Sequence, residues 1–203
     1  MADLHIPPCF YRLSPRDSAY GMVLHELTTR LRGTAEVGDI EIYQVHNPET
    51  ARRFHNRCRA IHERRGSPAS EMLFHGTTWD KAQDFALNGF VIPALRPGRR
   101  RLAGANLYFE RNPFTAMAYS SAAPLSAHAM YTLILAEVAV GQTRIHAYPP
   151  HEDILYNRVR LRPARIIDPY DSLAIRTATR DEVVVPSADQ ARPLFILRFR
   201  WLA

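Results

Sequence analysis

The sequence predicts an α+β fold with a mainly antiparallel sheet. Three observations carry that expectation. Helical periods are few and gather in the first half of the chain. Short apolar runs with strand character recur through the second half. Helices and strands do not alternate in the regular order that builds a parallel sheet. The chain has 203 residues, with 46% hydrophobic and 23% charged. Those values are ordinary for a globular domain and exclude wholesale disorder, collagen and coiled coil. One domain over 1–203 is expected, with a lead-in and helix over 1–38 and the core over 39–203. That length buries roughly 70% of the unfolded surface.

The spacing of Tyr20, Val23, Leu24, Leu27 and Leu31 predicts a helix over 17–31, with Gly33 as its stop. Residues 40–45 alternate weakly and read as a strand. Pro48 sits at a helix start, where its missing N–H costs nothing. Ala51, Phe54, Cys58 and Ile61 then form an apolar stripe that Gly66 ends. Arg52, Arg53, Arg57, Arg59, Arg64 and Arg65 lie off that stripe, and the expectation for them is a solvated face.

Residues 72–74 read as a strand leading into His75-Gly76-Thr77-Thr78. Residues 79–87 read as a helix closed by Asn88-Gly89. A loop rich in Arg, Pro and Gly spans 93–106, a brief strand 107–109, and a small helix with Pro in its first turn 113–121. Residues 131–140 form a long apolar run, expected to be a buried strand. A polar excursion over 141–169 precedes three more strands, at 172–175, 182–185 and 194–201.

Two cysteines, Cys9 and Cys58, give no disulfide framework and no cysteine-based zinc site, and no metal is expected. The first residues carry no continuous apolar segment, so neither a secretory signal nor a membrane partner is expected. A cytoplasmic location, or a nuclear one in a eukaryote, is the expectation. The formal charge is +6, and of 26 basic residues only Lys81 is lysine. Such a balance raises the question of a phosphate-bearing partner.

Four blocks in order then sharpen the reading. Ile42-Tyr43-Gln44-Val45-His46-Asn47-Pro48 precedes the Arg-rich helix. Leu73-Phe74-His75-Gly76-Thr77 follows. Gly104 to Phe109 stands ten residues ahead of Tyr119, counted from Phe109. Last come Tyr170-Asp171-Ser172, Asp181-Glu182-Val183-Val184-Val185, and Gln190 with Pro193. Each block alone is weak. Together, over 40–199, they resemble the catalytic domain of the poly(ADP-ribose) polymerase family, the diphtheria-toxin-like ADP-ribosyltransferases with a His-Tyr-Glu motif. Ser18-Ala19-Tyr20 resembles the entry seen in members that lack the regulatory helical domain.

The resemblance implies the ADP-ribosyltransferase fold, with its sheets split around an NAD+ cleft. It implies NAD+ as co-substrate and transfer of ADP-ribose to proteins, including the chain itself; single units or short chains are slightly favoured over long poly(ADP-ribose), for want of regulatory or localising domains. Breaking the nicotinamide–ribose bond passes through an oxocarbenium-like state, as in glycoside hydrolysis. Neutral nicotinamide needs no acid to leave, so positioning and a negative group near the developing charge matter most. By resemblance the catalytic set is His75, Tyr108 and Glu182. His75 and Thr77 would hold the adenine-side ribose, and Gly76 the nicotinamide carboxamide. Tyr108 and Tyr119 would wall the nicotinamide, beside Phe109. Glu182 would bind the 2′-hydroxyl of the nicotinamide ribose. Asp181 must face away from it, because strand side chains alternate. Arg99, with Arg96, Arg100 and Arg101 on the 93–106 loop, would meet the pyrophosphate.

Three positions depart from the pattern. Ala116 stands where a Ser usually binds the carboxamide, and Thr115 beside it points about 100° away on an ideal helix. Asn106 replaces a Gly, and Pro186 follows the strand that carries Glu182. Two other readings keep the same fold: an NAD- or ADP-ribose-binding pseudoenzyme, and a transferase acting on nucleic acid, which the basic charge motivates. No basic platform interleaved with aromatics supports the latter.

Overall fold

The computed structural model describes residues 9–31, 33, 36–66, 69–94, 103–120, 125–148, 166, 169–177 and 180–202. Their elements are β1 (Phe10–Arg12), α1 (Ser18–Leu31), β2 (Val37–Val45), α2 (Pro48–Arg65), β3 (Ser70–Gly76), α3 (Trp79–Asn88) and β4 (Leu107–Glu110). Then come α4 (Pro113–Met117), β5 (Met130–Ala139), β6 (Thr143–Ala147), β7 (Ser172–Arg176), β8 (Asp181–Val185), a short 3₁₀ turn (Ala188–Gln190) and β9 (Ala191–Trp201). The nine strands of these residues form one sheet in the order β1-β2-β9-β5-β3-β4-β8-β7-β6. Neighbours are antiparallel except β6 and β7, which run parallel. This is the expected α+β arrangement, a mainly antiparallel sheet with one parallel pair.

The continuous apolar run of β5 is explained by its place in that order. It lies between β9 and β3 and is covered on both faces. On one face Ile134, Ala136 and Val138 pack with Leu73, Phe109 and the α3 residues Ala82 and Ala86. On the other, Leu133 and Leu135 pack with Phe74, with Val23, Leu27 and Leu31 of α1, and with Ala116 and Met117 of α4. Pro193 enters β9 at a register shift opposite Ala136, where the ladder is already interrupted.

Two strands were not legible in the sequence. The polar excursion expected over 141–169 contains β6, which pairs with β7 at the sheet edge. Its one large apolar residue, Ile145, is exposed, so the strand has no hydrophobic pattern to read. β1 is three residues long and lies on the opposite edge. The small helix is also shorter than expected. Asn112 caps it by accepting from the Phe114 N–H, and it closes after Met117. Beyond it, Tyr119 and Ser120 donate backbone bonds three residues back, so Tyr119 sits on a tighter turn, not on an α-helix.

The Arg face of α2 is not simply solvated. Arg53 donates to the Asn88 carbonyl, Arg57 to Gln190 Oε1 and Arg64 to Asp171 Oδ1. Asp171 is buried, and its other oxygen accepts from the Gln142 N–H. Asn47 joins α2 to α3. Its Oδ1 accepts from the N–H groups of Glu49 and Thr50, and its Nδ2 donates to the carbonyls of Ala86 and Leu87. Gln190 is wholly buried, and its Nε2 donates to the carbonyls of Ala139 and Asp171, each at 3.0 Å. Replacing it with Leu orphans both carbonyls and the Arg57 donor. The expected cost is about 2–3 kcal/mol, seen in thermal melts as a Tm lower by roughly 4–12 °C.

Candidate active site

The site begins where β3 and β4 part. They share one register pair, Phe74 opposite Glu110. One residue further along β3, His75 turns to the α3 side, its ring 5.5–5.7 Å from those of Phe85, Phe90 and Phe109. Its Nδ1 lies 2.8 Å from the Tyr108 carbonyl. A carbonyl can only accept, so Nδ1 carries a proton, and one side-chain bond spans the place where the two strands separate.

Glu182 lies on the other face. It stands directly opposite Glu110 on β8, and Tyr108 stands opposite Val184. Alternation puts Tyr108, Glu110, Glu182 and Val184 on the α4 side, while Leu107, Phe109, Val183 and Val185 enter the α3-side core. His75 and Glu182 therefore lie on opposite faces of the sheet, beside the place where β3 and β4 separate.

The predicted site residues outside the 93–106 loop arginines each have a definite place. Glu182 is 3% exposed. Its Oε1 accepts from the Tyr119 hydroxyl at 3.1 Å. Asp181 turns the other way, to Arg111 and Arg176. Tyr119 is half exposed, with its ring at the surface. The Tyr108 hydroxyl accepts from the Ala103 N–H at 2.9 Å and donates to the Gly104 carbonyl at 3.1 Å. That ring therefore also anchors the end of the loop that precedes it. Thr77 is buried and continues the ladder by donating its N–H to the Thr132 carbonyl. Phe109 is 1% exposed behind the His75 ring, so it supports that histidine from the core. Arg99, with Arg96, Arg100 and Arg101, lies outside the described residues.

Gly76 has a reason of its own. A Cβ there would lie 1.8 Å from the Ala116 carbonyl oxygen and 3.1 Å from Tyr119 Cβ. The backbone of α4 crosses β3 at this point, and only glycine permits the approach. Ala116 is fully buried in the α1-side core. Thr115 points elsewhere, as the helical angle predicts. Its Oγ1 lies 3.0 Å from Glu110 Oε2 and 2.8 Å from the Asn112 carbonyl oxygen.

Two neighbours of Glu182 were not singled out in the sequence. Arg180 donates to the Tyr119 hydroxyl at 3.1 Å and brings Nη1 to 3.7 Å from Glu182 Oε1. Glu110 is 3% exposed and lies across the strand pair from Glu182. Burial first, then the Glu182 charge, pushes the Glu110 carboxyl up to about 8. Arg111 beside it faces away, held by both Glu71 oxygens and by Asp181 Oδ1.

Among the described residues no group of His, Cys, Asp and Glu is arranged to hold a metal ion. No helix of the described residues is long and apolar enough to cross a membrane. A family model, the poly(ADP-ribose) polymerase catalytic domain, matches residues 18–192. No individual curated protein matches the chain.

Proposed function

The chain belongs to the poly(ADP-ribose) polymerase catalytic-domain family, and from that premise we propose that it transfers ADP-ribose from NAD+ to proteins, one unit or a short chain at a time. The observation that carries this reading is the buried Glu182 carboxylate, set on the far side of the β3–β4 gap from His75. A dinucleotide has two riboses joined by a pyrophosphate. Threaded through that gap, it meets His75 with its adenine-side ribose and Glu182 with its nicotinamide ribose.

Gly76 offers its backbone N–H and C=O to the carboxamide, close under the α4 crossing. Tyr108 and Tyr119 flank the pyridinium, whose charge favours a π-face by about 0.5–2 kcal/mol. Glu182 accepts the ribose 2′-hydroxyl and faces the positive charge that grows as the C–N bond lengthens. Nicotinamide departs with the bonding pair. The acceptor oxygen, nitrogen or sulfur then bonds to the ribose carbon, and any proton it carried passes to solvent. Arg99 and its loop neighbours are proposed to meet the pyrophosphate.

Short products follow from the crowding at Glu182. Elongation asks one carboxylate to hold the donor ribose and also to orient an incoming ribose hydroxyl. Tyr119 already takes Oε1, with Arg180 beside it. Protein acceptors are favoured over nucleic acid because several arginines of α2 are spent on internal bonds. The chain itself offers Lys81 as its one internal lysine, so carboxylates, hydroxyls, Arg and Cys are the other candidates for self-modification.

Intact-mass spectrometry after incubation with NAD+ tests this reading. The expected spectrum shows one or a few ADP-ribose increments on the chain or on an added acceptor. An unmodified mass together with intact NAD+ contradicts it. Tyr119→Phe is expected to lower nicotinamide release roughly tenfold through the lost bond to a charged group. It is also expected to lengthen the product, read as more increments per modified molecule. Because Tyr119 is half exposed, its melting temperature should stay close to that of the parent.

A further inference from the structure

We propose that Glu110 is a positioning residue that holds the proton of a two-carboxyl pair with Glu182, donating a hydrogen bond that keeps the Glu182 carboxylate aimed into the cleft. This deepens the reading above and rests on it, because it assigns a second acidic residue to the same site.

Glu110 and Glu182 are register partners on adjacent antiparallel strands, so both side chains leave the same face of the sheet. Each is 3% exposed. Glu110 Oε2 lies at hydrogen-bond distance from the Thr115 hydroxyl, and Oε1 is buried with no partner. Two ionised carboxylates cannot sit side by side there without a cation or a proton between them.

The cation beside the pair is Arg180, whose Nη1 lies 3.7 Å from Glu182 Oε1, and it opposes the burial of Glu110 only in part. Around Glu110, β8 contributes Glu182 itself. From the residue before β8 comes Arg180, which engages Tyr119 and sits beside Glu182. From α4 and the turn after it come Thr115 and Tyr119. β3 presents the apolar Phe74. Arg30 of α1 lies over the Phe74 ring, pairs with Glu26, and donates to the carbonyls of Met72 and Arg111. Arg111 is turned to Glu71 and Asp181.

One proton resolves the arrangement. Placed on Glu110 Oε1, it satisfies that atom and gives the Glu182 carboxylate a donor from the sheet. Glu182 then holds a hydrogen bond from Tyr119 on one side and one from Glu110 on the other. The pair keeps a single negative charge for the growing oxocarbenium. Burial and the Glu182 charge favour the neutral form of Glu110 up to about pH 8, against the weaker opposing effects of Thr115 and Arg180. Above that, Glu110 loses its proton to solvent, the two carboxylates repel, and the aim of Glu182 is lost.

The sign of the stability effect follows. A carboxyl whose folded pKa lies above its ordinary value of about 4.3 contributes stability that is complete below that value. The contribution is lost as pH rises through about 8.

The test measures nicotinamide release from NAD+ and thermal melting across the same pH range for the parent chain, Glu110→Gln and Glu110→Ala. Parent turnover is expected to fall roughly tenfold per pH unit above about pH 8. Glu110→Gln keeps a neutral donor. Its turnover should lie within roughly tenfold of the parent at neutral pH and show no alkaline fall. Glu110→Ala removes the donor and should lose more than roughly tenfold at neutral pH. In the melts, Glu110→Gln should gain on the parent steadily as pH rises toward 8 and hold that gain above it.

A Glu110→Gln profile with the parent's alkaline fall overturns the role of Glu110. So does Glu110→Ala at the parent rate. If the parent releases no nicotinamide at any pH, the reading of the site fails and the role falls with it. The melts still decide the proton in that case: a gap between Glu110→Gln and parent that does not change with pH overturns it.

Discussion

Glu182→Gln is expected to lower nicotinamide release about 10²–10³-fold, the usual effect of removing one electrostatic partner of a transition state. The fold should not pay for it. Glu182 is buried, faces Glu110 across the strand pair, accepts from Tyr119 and lies beside Arg180. A neutral amide keeps the shape and an acceptor for the Tyr119 hydroxyl, and it takes a charge out of a buried site. The variant should therefore melt no lower than the parent, the sign expected of a residue kept for chemistry at some cost in stability. Turnover assays paired with thermal melts check both halves. Equal losses of activity and stability would mark Glu182 as a structural residue instead.

Gly76→Ala should have the largest effect on the fold. The added Cβ meets a carbonyl oxygen 1.8 Å away, and that oxygen belongs to the α4 backbone, not to a flexible side chain. No rotamer change relieves the contact, so β3 and α4 must separate. Overpacking of this kind costs about 3 kcal/mol or more, a Tm drop of roughly 6–12 °C in a chain of this size. Tyr119 Cβ is the next atom in the way, at 3.1 Å. The displacement therefore also pulls the Tyr119 hydroxyl from Glu182, and turnover should fall with stability. Calorimetry and nicotinamide release on the same preparation test the pairing.

What the sequence made legible was mostly local. The stripe of α1 and the apolar run of β5 report their own burial, and both lie where their spacing places them. The motif residues stand out because their types are unusual in those contexts, as with a His-Gly pair at a strand end. Other features depend on partners far along the chain. β6 has no apolar pattern because it is an edge strand whose large apolar residue faces solvent. Asn47, Asp171 and Gln190 read as family letters, but they prove to be joints: helix to helix, and helix α2 to the start of β7. The arginines of α2 read as a solvated face because the acceptors that bind them lie about 35 to 133 positions away.

Glu110 was invisible for the same reason. An acidic residue at the end of a four-residue strand reads as a loop residue. Its burial is imposed by β8, which arrives more than seventy positions later and sets Glu182 against it. Ala116 shows the converse. Its departure from the family pattern is plain in the sequence, but the structural need at that position is a backbone carbonyl over Gly76, which any residue supplies.

On the proposed function, the site between β3 and β4 binds NAD+ and breaks its nicotinamide–ribose bond. Chromatographic detection of nicotinamide released from NAD+ by the unaltered chain tests it most directly. Release by the parent at neutral pH and near-background release by Glu182→Gln are expected. No release by the parent, or equal release by both proteins, contradicts it.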